Sequence, residues 1–176
     1  MSLQQANYFE LFSLPISFQL ENTQLEVAYK KLQSEFHPDR VVNADDRTRV
    51  QALQQTSMIN DAYVTLKSPL KRAAYLLKLA GVDAEEHNQL HLDEAFLIQQ
   101  MEMRETLASL IGDEDLEGLD AMKDSIDKEK TTRLASFEAQ FTASQFVEAK
   151  SIYNQLQFIY KLLDEIDKAE EKLLDY

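Results

Sequence analysis

His37 and Asp39 stand two residues apart with Pro38 between them. A histidine beside a carboxylate is a familiar pair for acid–base chemistry. An enzyme would also need a nucleophile, a Gly-rich phosphate loop or a convergent set of polar residues, and the pattern supplies none. A second candidate lies downstream. His87 and His91 are four apart, with Asp93 and Glu94 nearby, and on a helix that spacing lets two imidazoles share one metal. Zinc sites use three or four protein ligands and no motif here fixes a third. Two solvated histidines beside a helix start are expected, with no metal. The chain has no cysteine, which excludes disulfides, thiolate metal sites and an iron–sulfur cluster held by its own thiolates. No cofactor is expected.

The elements that position His37-Pro38-Asp39 can be read from spacing. Leu25, Tyr29, Leu32 and Phe36 recur at helical intervals and form one apolar face. Asn22 or Thr23 can cap its start, and Thr23 with Glu26 fits a capping box. Lys30 and Lys31 fall off the apolar face and should be solvated. Pro38 biases His37 away from the helical region, so the helix should end at or before His37. After a polar loop, Asp45 or Asp46 can cap another helix running to about Leu66. Ile59, Ala62, Tyr63 and Leu66 form its inward face. Arg47 and Arg49 sit in its first turn, where the helix dipole does not favour cations, and simple solvation is expected. His37-Pro38-Asp39 is therefore a presented loop between two helices, with two lysines close behind it.

The stretch from Tyr29 to Arg40, with its basic helix and its His-Pro-Asp loop, resembles the J-domain of the DnaJ co-chaperones. The helix ending Ile59-Asn60-Asp61-Ala62-Tyr63-Val64-Thr65-Leu66-Lys67-Ser68-Pro69 is similar to the closing helix of that domain. J-domains open with a short helix packed across the main pair, a part that Asn7-Tyr8-Phe9-Glu10-Leu11-Phe12 can take. The segment Leu70 to Ala80, closed by Gly81, departs from common J-domains, which continue here into a polar tail. Tyr75, Leu76, Leu77 and Leu79 are too apolar for a free linker, so this helix is expected to pack against a second domain.

Composition agrees with an all-α fold: of 176 residues only three are Gly and three Pro. The net charge of −13 is uneven. Residues 1–80 carry nine Lys/Arg and eight Asp/Glu; residues 81–176 carry nine and twenty-three. Two domains with different partners follow. A nucleic-acid partner is disfavoured, because no basic face is concentrated enough. No run approaches the ~18 apolar residues of a membrane span. The first residues have neither a basic n-region nor an arginine-rich transit character, so a cytoplasmic protein is expected.

Residues 81–92 read as a polar linker and residues 93–176 as an antiparallel three-helix bundle. Its first helix runs from about Asp93 to Ile111 and stops at Gly112, its second from about Asp115 to Phe141. Thr142 and Gln145 suit a capping box for the third. There Ala149, Ile152, Leu156, Ile159, Leu163, Ile166 and Leu173 follow a 3-4 alternation, broken at Glu170, that reads as a bundle seam. In the first helix Phe96, Met103, Leu107 and Leu110 make the core stripe. Leu97, Ile98 and Met101 fall to one side of it, followed there by Glu102 and Glu105, and Phe158 and Leu162 fall off the last helix's seam. Surplus apolar residues of this kind either widen the core or mark a partner site.

From end to end the chain resembles the HscB family, the J-type co-chaperones of bacterial iron–sulfur cluster assembly. The resemblance rests on the J-domain, the apolar helix after Pro69, the string Ala95 to Glu105 and the ending Glu170-Glu171-Lys172-Leu173-Leu174-Asp175-Tyr176. It implies a non-enzymatic protein on one rigid L-shaped body. The J-domain (residues 1–80 with its connecting helix) would dock on a DnaK-type ATPase, the specialised HscA, through Tyr29, Lys30, Lys31, His37, Pro38, Asp39 and Arg40. The C-terminal bundle would bind the scaffold protein IscU through Leu97, Ile98, Met101, Glu102, Glu105 and Phe158. Animal members often add a cysteine pair and a transit segment; neither is present, so the bacterial form is expected. The alternative is a general J-protein feeding unfolded chains to a housekeeping chaperone, against which the missing Gly/Phe-rich and cysteine-rich segments argue.

Overall fold

The apolar periodicities resolve into seven helices in a computed structural model. Residues 6–37, 39, 45–84 and 94–174 are described. Among them the regular elements are α1 (Tyr8–Leu11), α2 (Asn22–Glu35), α3 (Asp46–Lys67), α4 (Pro69–Leu79), α5 (Glu94–Gly112), α6 (Leu116–Thr142) and α7 (Phe146–Leu174), with no strand. They fall into two compact units, Met1–Leu79 and Ala80–Tyr176.

In the N-terminal unit α2 and α3 are antiparallel. Leu25, Ala52, Ile59, Ala62 and Leu66 are buried, and Tyr29 stacks on Tyr63 at 4.0 Å between ring centroids. The expected Thr23–Glu26 capping box does not form: α2 begins two residues earlier, behind Glu21, whose side chain accepts from Gln24 instead. Asp45 does cap α3, accepting from the Thr48 N–H at 2.7 Å. Bonds from Thr48 hold the Asp45 carboxyl below its ordinary pKa. The short α1 carries a capping box that sequence reading did not single out, with Asn7 and Glu10 accepting from each other's backbone N–H.

The apolar residues of α4 are used largely inside this unit. Tyr75 stacks on Tyr8 at 4.4 Å and lies near Phe9, and its hydroxyl accepts the Tyr8 N–H at 2.9 Å. Burial is the main reason its phenol pKa is raised. Arg72 is buried, donates to the Leu66 carbonyl at 2.6 Å and lies over the Phe18 ring. It satisfies an orphan carbonyl at the C-terminus of α3. The expectation that Tyr75 serves a second domain is therefore corrected.

In the C-terminal unit α6 and α7 run antiparallel. Lys123 is bonded to Asp167 at 2.6 Å and to Glu170 at 2.7 Å, while Arg133 meets Gln155 further along. These two carboxylates raise the Lys123 pKa. Glu170, which breaks the apolar seam, is thus an ionic tie between helices. The core contains Leu107, Leu119, Ile126, Ile159, Leu162, Leu163 and Ile166. Leu162, off the seam, is 1% exposed and widens the core. One expectation for α7 is corrected: Tyr153 is buried where Ile152 was expected. A strict heptad stripe drifts around a straight helix of 3.6 residues per turn, and α7 must cover both α5 and α6, so its buried face is wider than one seam.

Three helices end on a non-glycine residue at positive φ: Ser13, Glu114 and Ser144. Each is followed by the same closing bond, as in Leu14 N–H to Phe9 O, Asp115 N–H to Leu110 O and Gln145 N–H to Gln140 O. These are Schellman ends. The last makes the Thr142–Gln145 capping box unnecessary, and Thr142 closes α6 instead. At the α5–α6 turn Asp115 caps α6 by accepting from the Gly118 N–H at 2.9 Å. A Cβ on Gly118 would collide with the Leu110 side chain and the Asp115 carboxylate. Gly118→Ala is expected to cost ~1–2 kcal/mol, the usual worth of a lost cap, despite the better helix propensity of alanine. Urea unfolding checks it; unchanged or greater stability would show that the turn adjusts freely.

Candidate functional site

The His37–Asp39 turn is built from the two helix ends that flank it. Phe36 closes α2 with its N–H bonded to the Leu32 carbonyl. Its own carbonyl faces the Thr56 hydroxyl of α3 at 2.8 Å, which also lies 2.9 Å from the Ala52 carbonyl. The hydroxyl has one proton, shared between the two carbonyls, and ties the end of α2 to the body of α3. The Asp39 N–H donates to His37 Nδ1 at 3.3 Å. Nδ1 is the acceptor in that bond. The Asp39 carboxylate lies 3.6 Å from Nδ1 and is 83% exposed. Pro38 and Arg40 lie outside the described residues.

This turn can be recognised by a partner but is not arranged for catalysis. Both side chains face solvent, and no nucleophile among the described residues converges on them. Lys30 and Lys31 are exposed on α2, and no carboxylate among the described residues pairs with either. Tyr29 is half-buried; its hydroxyl bonds Asn60 Oδ1 at 3.0 Å and accepts from Gln33. Most of that side chain is therefore spent on holding α2 against α3.

The second surface lies on α5, which buries Phe96, Gln100 and Leu107. Gln100 fits the i+4 spacing of the stripe but was overlooked because it is polar; its amide contacts Met103 Sδ at 3.7 Å. Leu97, Ile98 and Met101 are 42%, 51% and 65% exposed. Glu102 and Glu105 are also exposed beside them. Helical geometry puts Ile98, Met101, Glu102 and Glu105 on the face opposite the buried one, with Leu97 on its flank. Phe158 belongs to a different environment. It is half-buried on α7, edge-on to Phe96 at 6.0 Å, and Arg133 covers that same Phe96 ring. It is a border residue, part core and part surface.

Comparison with known proteins matches both units. The DnaJ domain model matches residues 7–75. The model described as the HSCB C-terminal oligomerisation domain matches residues 92–167. The Co-chaperone protein HscB homolog of Vibrio cholerae is 41% identical over 96% of this chain and 99% of its own. The chain belongs to the HscB family. The Aeromonas salmonicida homolog is 40% identical over the same shares. The solved chaperone HscB from Vibrio cholerae superposes with a TM-score of 0.87 at 41% identity, over 96% of this chain and 99% of that one. The crystal structure of the human co-chaperone HscB does so at 0.87 and 27% identity, over 93% and 82%. The chain is thus a J-domain co-chaperone of the HscB family, and a J-domain implies stimulation of an Hsp70-type ATPase rather than catalysis of its own.

Among the described residues no cluster could hold a metal and no helix is long and apolar enough to cross a membrane. His87 and His91 lie outside the described residues. The geometry separates the six α5/α7 positions by what truncation costs. Leu97→Ala and Met101→Ala are expected to leave melting almost unmoved, within ~0.5 kcal/mol. Phe158→Ala is expected to cost ~1–3 kcal/mol, below a fully buried Phe because the ring is only half covered. Thermal and urea unfolding of the three variants checks this; equal losses for all three would show that the α5 face is core.

Proposed function

We propose that this HscB-family chain stimulates the ATPase of the DnaK-type chaperone HscA and delivers the iron–sulfur scaffold protein IscU to it in the cytoplasm. The observation that carries the reading is the coexistence, on one chain, of a braced and exposed His37–Asp39 turn and an uncovered apolar helix face. Lys30, Lys31 and Arg40 steer the N-terminal unit toward an acidic surface of HscA. Tyr29 holds α2 in place behind them. His37, Pro38 and Asp39 favour the hydrolysing conformation of the ATPase by contacting it better than the resting one, which is linkage and not chemistry.

On the other unit Leu97, Ile98 and Met101, with Phe158 at the border, form the apolar anchor for IscU. Glu102 and Glu105 form its polar rim. Holding both partners on one chain raises their effective concentration for each other. The compact apolar face suits one folded client better than a general J-protein's unfolded chains. Binding of IscU without binding of a denatured test protein would separate the two.

The test uses purified HscA and IscU. His37→Gln is expected to abolish ATPase stimulation with IscU binding and melting unchanged. Leu97→Ala and Met101→Ala are expected to weaken IscU binding about tenfold, ~1.4 kcal/mol, with J-dependent stimulation intact. Stimulation should fall as salt rises, because exposed charges are screened over ~8 Å at physiological ionic strength. Stimulation by His37→Gln within twofold of the parent would contradict the role of the turn.

A further inference from the structure

α2 carries an apolar residue where its docking face would be expected to be wholly basic. Val27 is 70% exposed. It lies three residues before Lys30 and four before Lys31, so the three side chains share one face, with Val27 between the two cations. Val27 also walls a groove of about 530 Å³ between α2 and the end of α1. Leu11, Phe12, Ala28 and Leu32 line it as well, and Lys31 and Glu35 stand at its rim. Leu11 and Phe12 are buried, so the floor is fixed by the core.

A lone exposed valine needs no explanation. This one opens into a preformed concavity and is framed by two lysines with no carboxylate partner among the described residues. An apolar centre with a charged rim is the arrangement in which interface energy concentrates. Charge supplies steering and orientation, whereas affinity comes chiefly from the desolvated anchor.

We infer that Val27 and the groove it walls form the apolar anchor of the face that docks on the ATPase. The occupant is an apolar side chain of the DnaK-type partner, next to an acidic group that meets Lys31. The inference rests on the docking role proposed above for Lys30 and Lys31. It adds that docking is only partly electrostatic: the lysines set the rate of encounter and the groove sets the lifetime of the complex.

The test titrates the full-length chain against HscA and reads ATPase stimulation at several salt concentrations. Val27→Ser, which removes apolar surface without adding charge, is expected to raise the half-maximal concentration about tenfold at every salt concentration. Its salt dependence should match that of the parent. Val27→Ile should restore tight docking, and neither substitution should move the melting temperature, because Val27 is exposed. If Val27→Ser titrates like the parent while Lys30→Ala with Lys31→Ala weakens stimulation, docking is purely electrostatic and the inference is overturned. If Val27→Ser lowers the melting temperature and leaves docking unchanged, the groove is covered by this chain's own residues, which also overturns it. If neither the lysine pair nor His37→Gln affects stimulation, the docking reading itself has failed.

Discussion

The Thr56 hydroxyl, 2.8 Å from the Phe36 carbonyl, marks the constraint on which the N-terminal unit depends. Here the end of α2 is pinned to α3 by that hydroxyl and by the Tyr29–Tyr63 stack, and Tyr29 is itself pinned to Asn60. Asp45 caps the start of α3. The His37–Asp39 turn can therefore stay exposed without contributing to the core. A side chain that does nothing for stability is free to be specified by a partner.

The C-terminal unit solves a different problem with the same economy. α6 and α7 are long enough to bury each other along most of their length, and ionic ties such as Lys123 with Asp167 and Glu170 fix their pairing. The Lys123 pKa is raised by those carboxylates. The tie is therefore fully present below the ordinary lysine pKa and is lost as pH rises through the folded one. Its parts are partly exposed, so its worth is modest. α5 is shorter and buries only Phe96, Gln100 and Leu107, which leaves its opposite face uncovered. Exposure of Leu97, Ile98 and Met101 follows from a bundle completed without them.

Legibility in the sequence followed physical range. Pro38 acts on its immediate neighbour, and α2 does end before His37. The single stripe of α5 sets Leu97 and Met101 to one side of it, but only the structure decides between a wider core and an exposed face, in favour of exposure. Pairing between helices was harder. Spacing places Tyr29 on the apolar face of α2, but spacing within α2 does not say that α3 offers Tyr63 to stack on it and Asn60 to bond it. Leu162 lies off a single heptad seam, and it widens the core because α7 faces two helices. Gln100 and Arg72 are polar, so no apolar pattern could mark them as buried. Spacing leaves Phe158 open between core and surface, because its neighbour Phe96 is 62 positions away in sequence. The Thr23 capping box failed because helix starts are decided by competing local bonds, here between Glu21 and Gln24.

The central claim is that one chain couples two independent sites, one for the ATPase and one for its client. The most direct measurement is the IscU concentration that half-maximally activates HscA, with and without this chain. The account predicts that the chain lowers it at least tenfold, and that Leu97→Ala combined with Met101→Ala removes the lowering while stimulation in the absence of IscU persists. A double variant that still lowers it as the parent does would contradict the claim that the α5 face delivers the client.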